Sequence, residues 1–495
     1  MVKILVLKGK RMATKETWAY YWDKKVKIDV PEQTVVPVVP DPPLLREPAG
    51  EVRKALNNPI GSEPLSDLAK RVRNEKVVIA FDDQTRPAIP RRIFISEVAN
   101  ILNKAGVKDE NIYLLSGNGN HCKWTDNGFR DYLGDEIYNR FRPLGSASRI
   151  LNHDCHDPDH LIYMGTSELG DYVEYNSLLN EAALFIYCGT VIPTNWGGVS
   201  GTGVVIGLAS ARSMASTHGF PVIGHEESCH SDFRRMLYRQ HKQAIMKHIE
   251  KFTGKRIFYV DAVLGKGGSL AGVFAGYSPE INEPTWKYIE SICSVEVPQA
   301  DVLIVGIPKY LLYGKSSNSL ISLAAICAPP RLGVNDHILR EGGVIIGLTH
   351  CTGEIDDRAH PSYREVINLF RHCHSCYELQ QYEAEYLSRE DLIFKYRFCY
   401  AYAPIHPFWL FYESQYALDR ASKVILAGIP TSGNKFCALE REGEGGPGAV
   451  RDLGCVPAPN FENAWKTAEK IVGKNPTVVA FPQFHTTLRP CVHVK

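Results

Sequence analysis

The chain has 495 residues, 44% of them hydrophobic and 22% charged, a globular balance that excludes a disordered or coiled-coil protein. This length exceeds the roughly 250–300 residues at which a single hydrophobic core stops growing, so more than one domain is expected. The 56 Lys and Arg against 55 Asp and Glu leave a net charge of +1, with no basic surplus to neutralise a phosphate backbone, which excludes a general nucleic-acid binder.

In chain order, Val2–Leu7, Val26–Val30 and Val35–Val39 read as short strands. The apolar part of the first, Ile4–Leu7, is followed at once by Lys8, Lys10 and Arg11 and is too short for a signal peptide. Pro37-Val-Val-Pro-Asp-Pro-Pro43 is an extended connector. From residue 64 the pattern becomes strand, loop, helix. Lys76–Phe81 is a buried-strand run, Asp82–Pro87 a polar turn, and helical periodicity covers about Arg91–Lys104, closed by Gly106. Asn111–Leu115 is a strand ending in Ser116-Gly-Asn-Gly-Asn-His121, and Ala183–Tyr187 another, ending in a Gly-rich loop from Gly189 to Gly203. A second cycle holds strands at Asp301–Gly306, Gly343–Thr349, Lys423–Gly428 and Pro476–Phe481, with an apolar helix at Ser316–Ala328. This alternation predicts an α/β protein of two domains with parallel-type sheets and an active-site cleft between them. The predicted domains are 1–285, to which 474–495 is allowed to return, and 290–473, with the boundary in Gly276–Pro298. The apolar runs, such as Ala182–Ile186 and Ser319–Ala328, fall short of the ~20 residues a membrane helix needs. Thirteen Cys, an odd number widely spread, read as reduced thiols. A cytoplasmic enzyme without membrane or nucleic-acid partners is expected; the oligomeric state is not specified.

Ligands of parallel α/β sheets sit beyond the C-terminal ends of the strands, so three loops matter most. Asp83-Gln-Thr-Arg-Pro87 is either an anion site using backbone N–H groups, Thr85 and Arg86, or a helix cap with an incidental arginine. Gly117-Asn-Gly-Asn-His121 brings backbone close to a ligand and puts His121 where a general base belongs, or is an ordinary loop histidine. Asn195-Trp-Gly-Gly-Val-Ser-Gly-Thr-Gly203 runs on to Gly207; its Gly201-x-Gly203-x-x-x-Gly207 misses the dinucleotide fingerprint by one residue, and the segment reads either as a phosphate cradle or as close packing. His218 follows the next helix and has a metal ligand's chemistry. His153-Asp-Cys-His156 with His160, and His372-Cys-His-Ser-Cys376, are rich in ligand types but lack zinc-finger spacing. His241 and His248 read as surface residues of a basic helix.

Taken together, Asn58-Pro-Ile-Gly-Ser62, Asp83-Gln-Thr-Arg-Pro87, Gly119-Asn-His121, Gly197-Gly-Val-Ser-Gly201 and Ala209-Ser…Thr217-His218 resemble the nickel-dependent lactate racemase family over most of residues 50–280. The resemblance implies an isomerase: a racemase or epimerase of a 2-hydroxy acid or related polyhydroxylated, sugar-like substrate. It implies hydride transfer to and from a nickel-pincer nucleotide, a pyridinium mononucleotide whose two sulfurs and one ring carbon hold nickel while a protein His completes a square plane. Carried over, His218 takes the metal position, His121 that of one of two catalytic histidines, and Asp83, Thr85 and Arg86 the cofactor loop. Gly198, Ser200, Gly201 and Thr202 complete the cofactor-binding set.

Two departures shape the expectation. The family's tethering Lys lies in Ser-Gly-Gly-Arg-Lys, whereas here Ser200-Gly-Thr-Gly-Val204 is followed by no Lys before Lys242, so the nucleotide is expected to bind non-covalently. The second catalytic His falls at Thr194, beside Asn195, leaving hydrogen-bonding groups on that face. In the second half, the substrate Lys of the family aligns with Ile321, with Asn318 and Lys315 nearby, and Trp409 takes the place of a site Trp. Two alternatives stay open: an oxidoreductase of the same fold working without inversion, and a non-catalytic cofactor-binding protein.

Overall fold

The computed structural model describes residues 13–22, 24–38, 41–191, 200–308, 318–349, 351, 354–428, 446–484 and 489–495. It is an α/β protein with two large, mainly parallel sheets and two two-stranded ones among the described residues. The first has six strands in the order Leu270–Tyr277, Phe258–Leu264, Leu184–Val191, Val77–Asp82, Ile112–Gly117, Ile150–Asn152. All run parallel except Leu270–Tyr277, which closes one edge antiparallel to Phe258–Leu264. The uninterrupted apolar run Val77–Phe81 is buried along its length, as a central parallel strand covered by helices on both faces must be. Helix Ala88–Lys104 covers one face with Phe94, Ile95, Val98, Ala99 and Leu102, at helical spacing, against Val77, Ile79 and Phe81.

The second sheet orders Val456–Ala458, Lys423–Ala427, Leu339–Leu348 and Ala300–Pro308 in parallel. On its free side, Ala300–Pro308 pairs with Val478–Phe481 and, further along, with Thr14–Trp22. Thr14–Trp22 forms an antiparallel hairpin with Lys24–Pro31. This differs from the expected grouping of residues 1–285. The hairpin joins the second sheet because Ala19, Ile28 and Val30 share a core with Val302, Ile304, Val344 and Ile346. The terminal segment does not return to the first sheet either: Val478–Phe481 lies in the second, and Cys491–Val494 pairs with Ser294–Val297.

Of Val35–Val39, expected as a strand, Val35 forms one parallel bridge to Val479, Pro37 cannot donate to a ladder, and Val39 lies outside the described residues. Val2–Leu7 lies outside the described residues. The expected boundary Gly276–Pro298 is structured, holding helix Asn282–Cys293 and strand Ser294–Val297. One core cluster crosses between the halves, with Phe408, Trp409, Phe411 and Tyr412 of helix His406–Arg420 joining Val204, Met214 and Phe220. Among the described residues no helix is long and apolar enough to cross a membrane, and the described cysteines are free thiols.

Candidate active site

In chain order, the strands of the first sheet run third, second, first, fourth, fifth, sixth, so the connections turn in opposite directions after Val77–Asp82 and after Leu184–Val191. The crevice beyond the carboxyl ends of such a pair is where open α/β sheets bind ligands. A cavity of about 190 Å³ lies there, lined by Asp82, Asp83, Gly189 and Thr190 from these two strand ends. The second half closes it with His406, Trp409, Leu410 and Arg489.

The register pairs Asp82 with Gly117 across adjacent parallel strands, so the Asp83 and His121 loops leave the sheet side by side. The Asp83 carboxylate accepts from His121 Nδ1 through Oδ2 and from the Thr85 hydroxyl through Oδ1, at 2.6 Å. Burial pushes the Asp83 carboxyl up, but the charge and hydrogen bond of His121, the Arg86 charge and the Thr85 bond outweigh it and hold the group below its ordinary value. Asp83 therefore serves as an ionised partner fixing the His121 ring, a role absent from the sequence expectation. With Nδ1–H given to the carboxylate, Nε2 is the nitrogen left to take a proton. Arg86 Nη1 donates to Thr85 Oγ1 at 2.9 Å, which keeps a cation at the mouth of this loop. Behind it, Arg91 is buried and bridges Asp82 Oδ2 (2.8 Å) and the Gly189 carbonyl (3.0 Å), and the Tyr187 hydroxyl donates to Asp82 Oδ1 at 3.0 Å.

The described end of the Gly-rich loop is anchored from below. Asp261 Oδ2 accepts from Gly201 N (2.9 Å) and Ser200 Oγ (3.0 Å), and burial raises its carboxyl to about 6. Arg239 donates to Thr202 Oγ1 and to the Ser200 carbonyl, both at 2.8 Å. Close packing accounts for Gly203, where a Cβ would stand 2.1 Å from the Tyr187 ring. Ser200, Gly201 and Thr202 nevertheless line the cavity. Thr194, Asn195, Gly198 and Lys315 lie outside the described residues.

His218 ends helix Ala211–His218, whose start is capped by Ser210 Oγ accepting from Ser213 N at 3.1 Å. The imidazole is buried, with Nδ1 3.0 Å from Thr217 Oγ1, Nε2 3.1 Å from the Tyr238 hydroxyl, and the Trp409 ring 4.9 Å away between centroids. Burial, helped by the Lys242 charge, lowers its pKa to about 3, so the ring is neutral, the form that binds metals. A ring nitrogen offered to a metal must first lose one of these partners. Among the described residues no group of three or more His, Cys, Asp or Glu could hold a metal. His153 is spent structurally, Nε2 on the Ala209 carbonyl and Nδ1 on Asn176.

Trp409 lines the cavity, whereas Asn318 is not among the lining residues and caps helix Ser319–Cys327 through Oδ1 accepting from Ile321 N at 2.9 Å. Among the lining side chains, Asn120 Nδ2, Thr190 Oγ1 and Trp409 Nε1 are buried polar atoms without a hydrogen-bond partner among the described residues. All three can donate, and such atoms are costly to bury unless a ligand completes them. Two further lining groups escaped sequence reasoning. Lys242 is buried in the wall, its pKa pushed well down by burial and the Arg239 charge. His406 comes from the other half, with Nδ1 2.7 Å from the Tyr363 hydroxyl; burial, reinforced by the neighbouring histidines, holds it well below its ordinary pKa. The Asp83–His121 pairing was detectable from two polar loops at the ends of adjacent strands. Nothing in the spacing around His406 or Lys242 marked either.

The family profile described as "Lactate racemase N-terminal domain" matches residues 21–231. The chain is 24% identical over 352 residues to a lactate racemase of Thermoanaerobacterium thermosaccharolyticum, covering 67% of this chain and 73% of that protein. It is 26% identical over 255 residues to a lactate racemase of Lactiplantibacillus plantarum, covering 51% of this chain and 56% of that one. The solved lactate racemase apoprotein from T. thermosaccharolyticum shares the fold with a TM-score of 0.69 at 20% identity, over 97% of this chain and 100% of that chain. A Thermotoga maritima protein gives a TM-score of 0.52 at 15% identity, over 90% and 99%.

Proposed function

Because the chain is a divergent member of the lactate racemase family, we propose that it is a racemase or epimerase of a 2-hydroxy acid or a related polyhydroxylated acid. The observation that carries this reading is a carboxylate–imidazole dyad, Asp83–His121, facing the same cavity as the neutral imidazole of His218. The dyad supplies a base for a hydroxyl proton. The second imidazole supplies a single point of attachment for a metal.

Three features of the cavity support a nickel-pincer nucleotide: the neutral imidazole of His218 for a metal otherwise ligated by the cofactor, an arginine-bearing loop for a phosphate, and unsatisfied donors for polar groups. His218 would hold the metal, and Thr85 and Arg86, with the Ser200–Thr202 backbone, would hold the phosphate. When bound, that group supplies a hydride acceptor, which a 2-hydroxy acid needs because its C2 hydrogen is too weakly acidic to leave as a proton. His121 Nε2 takes the hydroxyl proton, Asp83 keeps the ring in the tautomer that can accept it, and the second half excludes water by covering the cavity with Trp409 and Leu410. Attachment is read as non-covalent because Ser200-Gly-Thr-Gly-Val204 lacks a lysine. The test must nonetheless include Lys242, which lines the same cavity.

Protein purified from cells that make the cofactor is expected to contain nickel, to interconvert the enantiomers of a 2-hydroxy acid, and to show the bare chain mass after denaturation. His218→Ala should lose the nickel and keep the fold. Full nickel occupancy in that variant rejects the metal assignment, and an adduct mapped to Lys242 rejects non-covalent attachment.

A further inference from the structure

A racemase handles two mirror-image substrates, and the sequence offers one catalytic imidazole, with Thr194 at the second position. The second half brings another to the cavity. His406 stands at the start of helix His406–Arg420, its ring edge-on to that of His121 with 5.3 Å between centroids. Tyr402 touches both rings, 5.3 Å from His121 and 4.7 Å from His406. The two histidines are held alike, each with Nδ1 against an oxygen: the Asp83 carboxylate for one and the Tyr363 hydroxyl for the other. His121 donates Nδ1–H to its carboxylate, and in the tautomer in which His406 Nδ1–H donates to the Tyr363 hydroxyl, Nε2 is the proton-accepting nitrogen in both.

We propose that His406 is the second proton acceptor of the reaction, serving the enantiomer whose hydroxyl points away from His121. This rests on the racemase reading above. If the carboxylate is held and C2–H faces the hydride acceptor in both enantiomers, the hydroxyl and the side chain exchange places. Two substituent positions on one tetrahedral carbon lie closer together than two touching rings, so neighbouring imidazoles reach one each. In either case the O–H bond breaks and its proton goes to the imidazole. The C2–H electron pair would leave with its hydrogen as hydride, for which the nucleotide named in that reading would be the acceptor, and a C=O bond remains. The ketone then turns from one imidazole to the other, the first imidazolium passes its proton to the neighbouring imidazole, hydride returns to C2, and the second imidazolium so formed gives its proton to the oxygen. The centre is inverted with no net oxidation.

The test is single-turnover keto-acid formation by the holoenzyme, trapped with a hydrazine, from the separate D and L forms of lactate, glycerate and malate. His406→Asn should slow oxidation of one enantiomer of a pair by roughly 10²–10⁴-fold and the other by about threefold or less, with His121→Asn showing the mirror pattern. Tyr363→Phe, which keeps the imidazole, should impair the same enantiomer as His406→Asn, and added imidazole should restore that enantiomer alone in His406→Gly. Equal losses for both enantiomers, or no loss in either, overturn the assignment and leave His406 a structural residue. A wild-type holoenzyme that oxidises neither enantiomer of any pair overturns the racemase reading itself, and this inference falls with it.

Discussion

Asp261 holds the Ser200–Gly201 turn at an electrostatic cost that can be measured. Its carboxylate is buried under the loop, and its pKa stands at about 6 against an ordinary 3.8. The two hydrogen bonds from Gly201 N and Ser200 Oγ favour ionisation but do not offset desolvation. A carboxyl whose folded pKa is raised binds more protons folded than unfolded between the two values. Stability therefore falls as pH rises through about 4 to 6 and does not recover above that window. The gap between 3.8 and about 6, at about 1.36 kcal/mol per unit, amounts to about 3 kcal/mol. Asp261→Asn keeps an oxygen to accept both hydrogen bonds and removes the charge. Urea unfolding of the two proteins at pH 4 and pH 7.5 cancels every titration they share. The variant should gain about 3 kcal/mol on the wild type between these two conditions. A stability difference that does not change with pH would refute the reasoning, because the buried carboxylate would then not be the source of the cost.

His121→Ala should lower kcat by roughly 10²–10⁴-fold while nickel is retained, read by steady-state kinetics beside metal analysis. Asp83→Asn should lower kcat in the same direction with little change in KM, since it disturbs the tautomer of His121 rather than substrate contacts. Gly203→Ala places a Cβ 2.1 Å from the Tyr187 ring and should cost about 1–3 kcal/mol in urea unfolding. Trp409→Phe keeps a ring beside His218 and removes the Nε1 donor, so KM should rise about tenfold with nickel content unchanged, the worth of one lost hydrogen bond.

The strands of the parallel sheets were legible because a strand buried on both faces is written as a continuous apolar run, as in Val77–Phe81 and Asp301–Gly306. Their loops were legible for the same reason: polar and glycine residues at strand ends mark where the cavity must open, and Asp83, His121 and Ser200–Thr202 all line it. The hairpin Thr14–Pro31 was misplaced because pairing between distant strands leaves no local signal; only the shared core of Ala19 and Ile28 with Val302 and Ile304 decides it. His406 was hidden in a stretch, His406-Pro-Phe-Trp-Leu-Phe411, whose composition reads as core, and all six residues are in fact buried. Its chemistry emerges only when the fold sets it beside His121. Asn318 failed in the opposite direction, its polarity being used by the N-terminus of a helix.

The placement of that hairpin changes what can be cut from the chain. Polypeptide enters the second sheet, leaves to build the first, and comes back, so the first sheet is an excursion from within the second. Two covalent crossings bound this excursion, and the C-terminal strand Cys491–Val494 adds a further link by packing Cys491 with Val191 and Val263 of the first sheet, so any opening of the cavity must be accommodated by all three. A fragment ending near residue 285 would carry Ile28 and Val30 away from their partners and present an unpaired apolar ribbon to solvent, an aggregation hazard. Deleting the excursion by joining the residues near 38 to those near 298 instead leaves every strand of the second sheet with its neighbour.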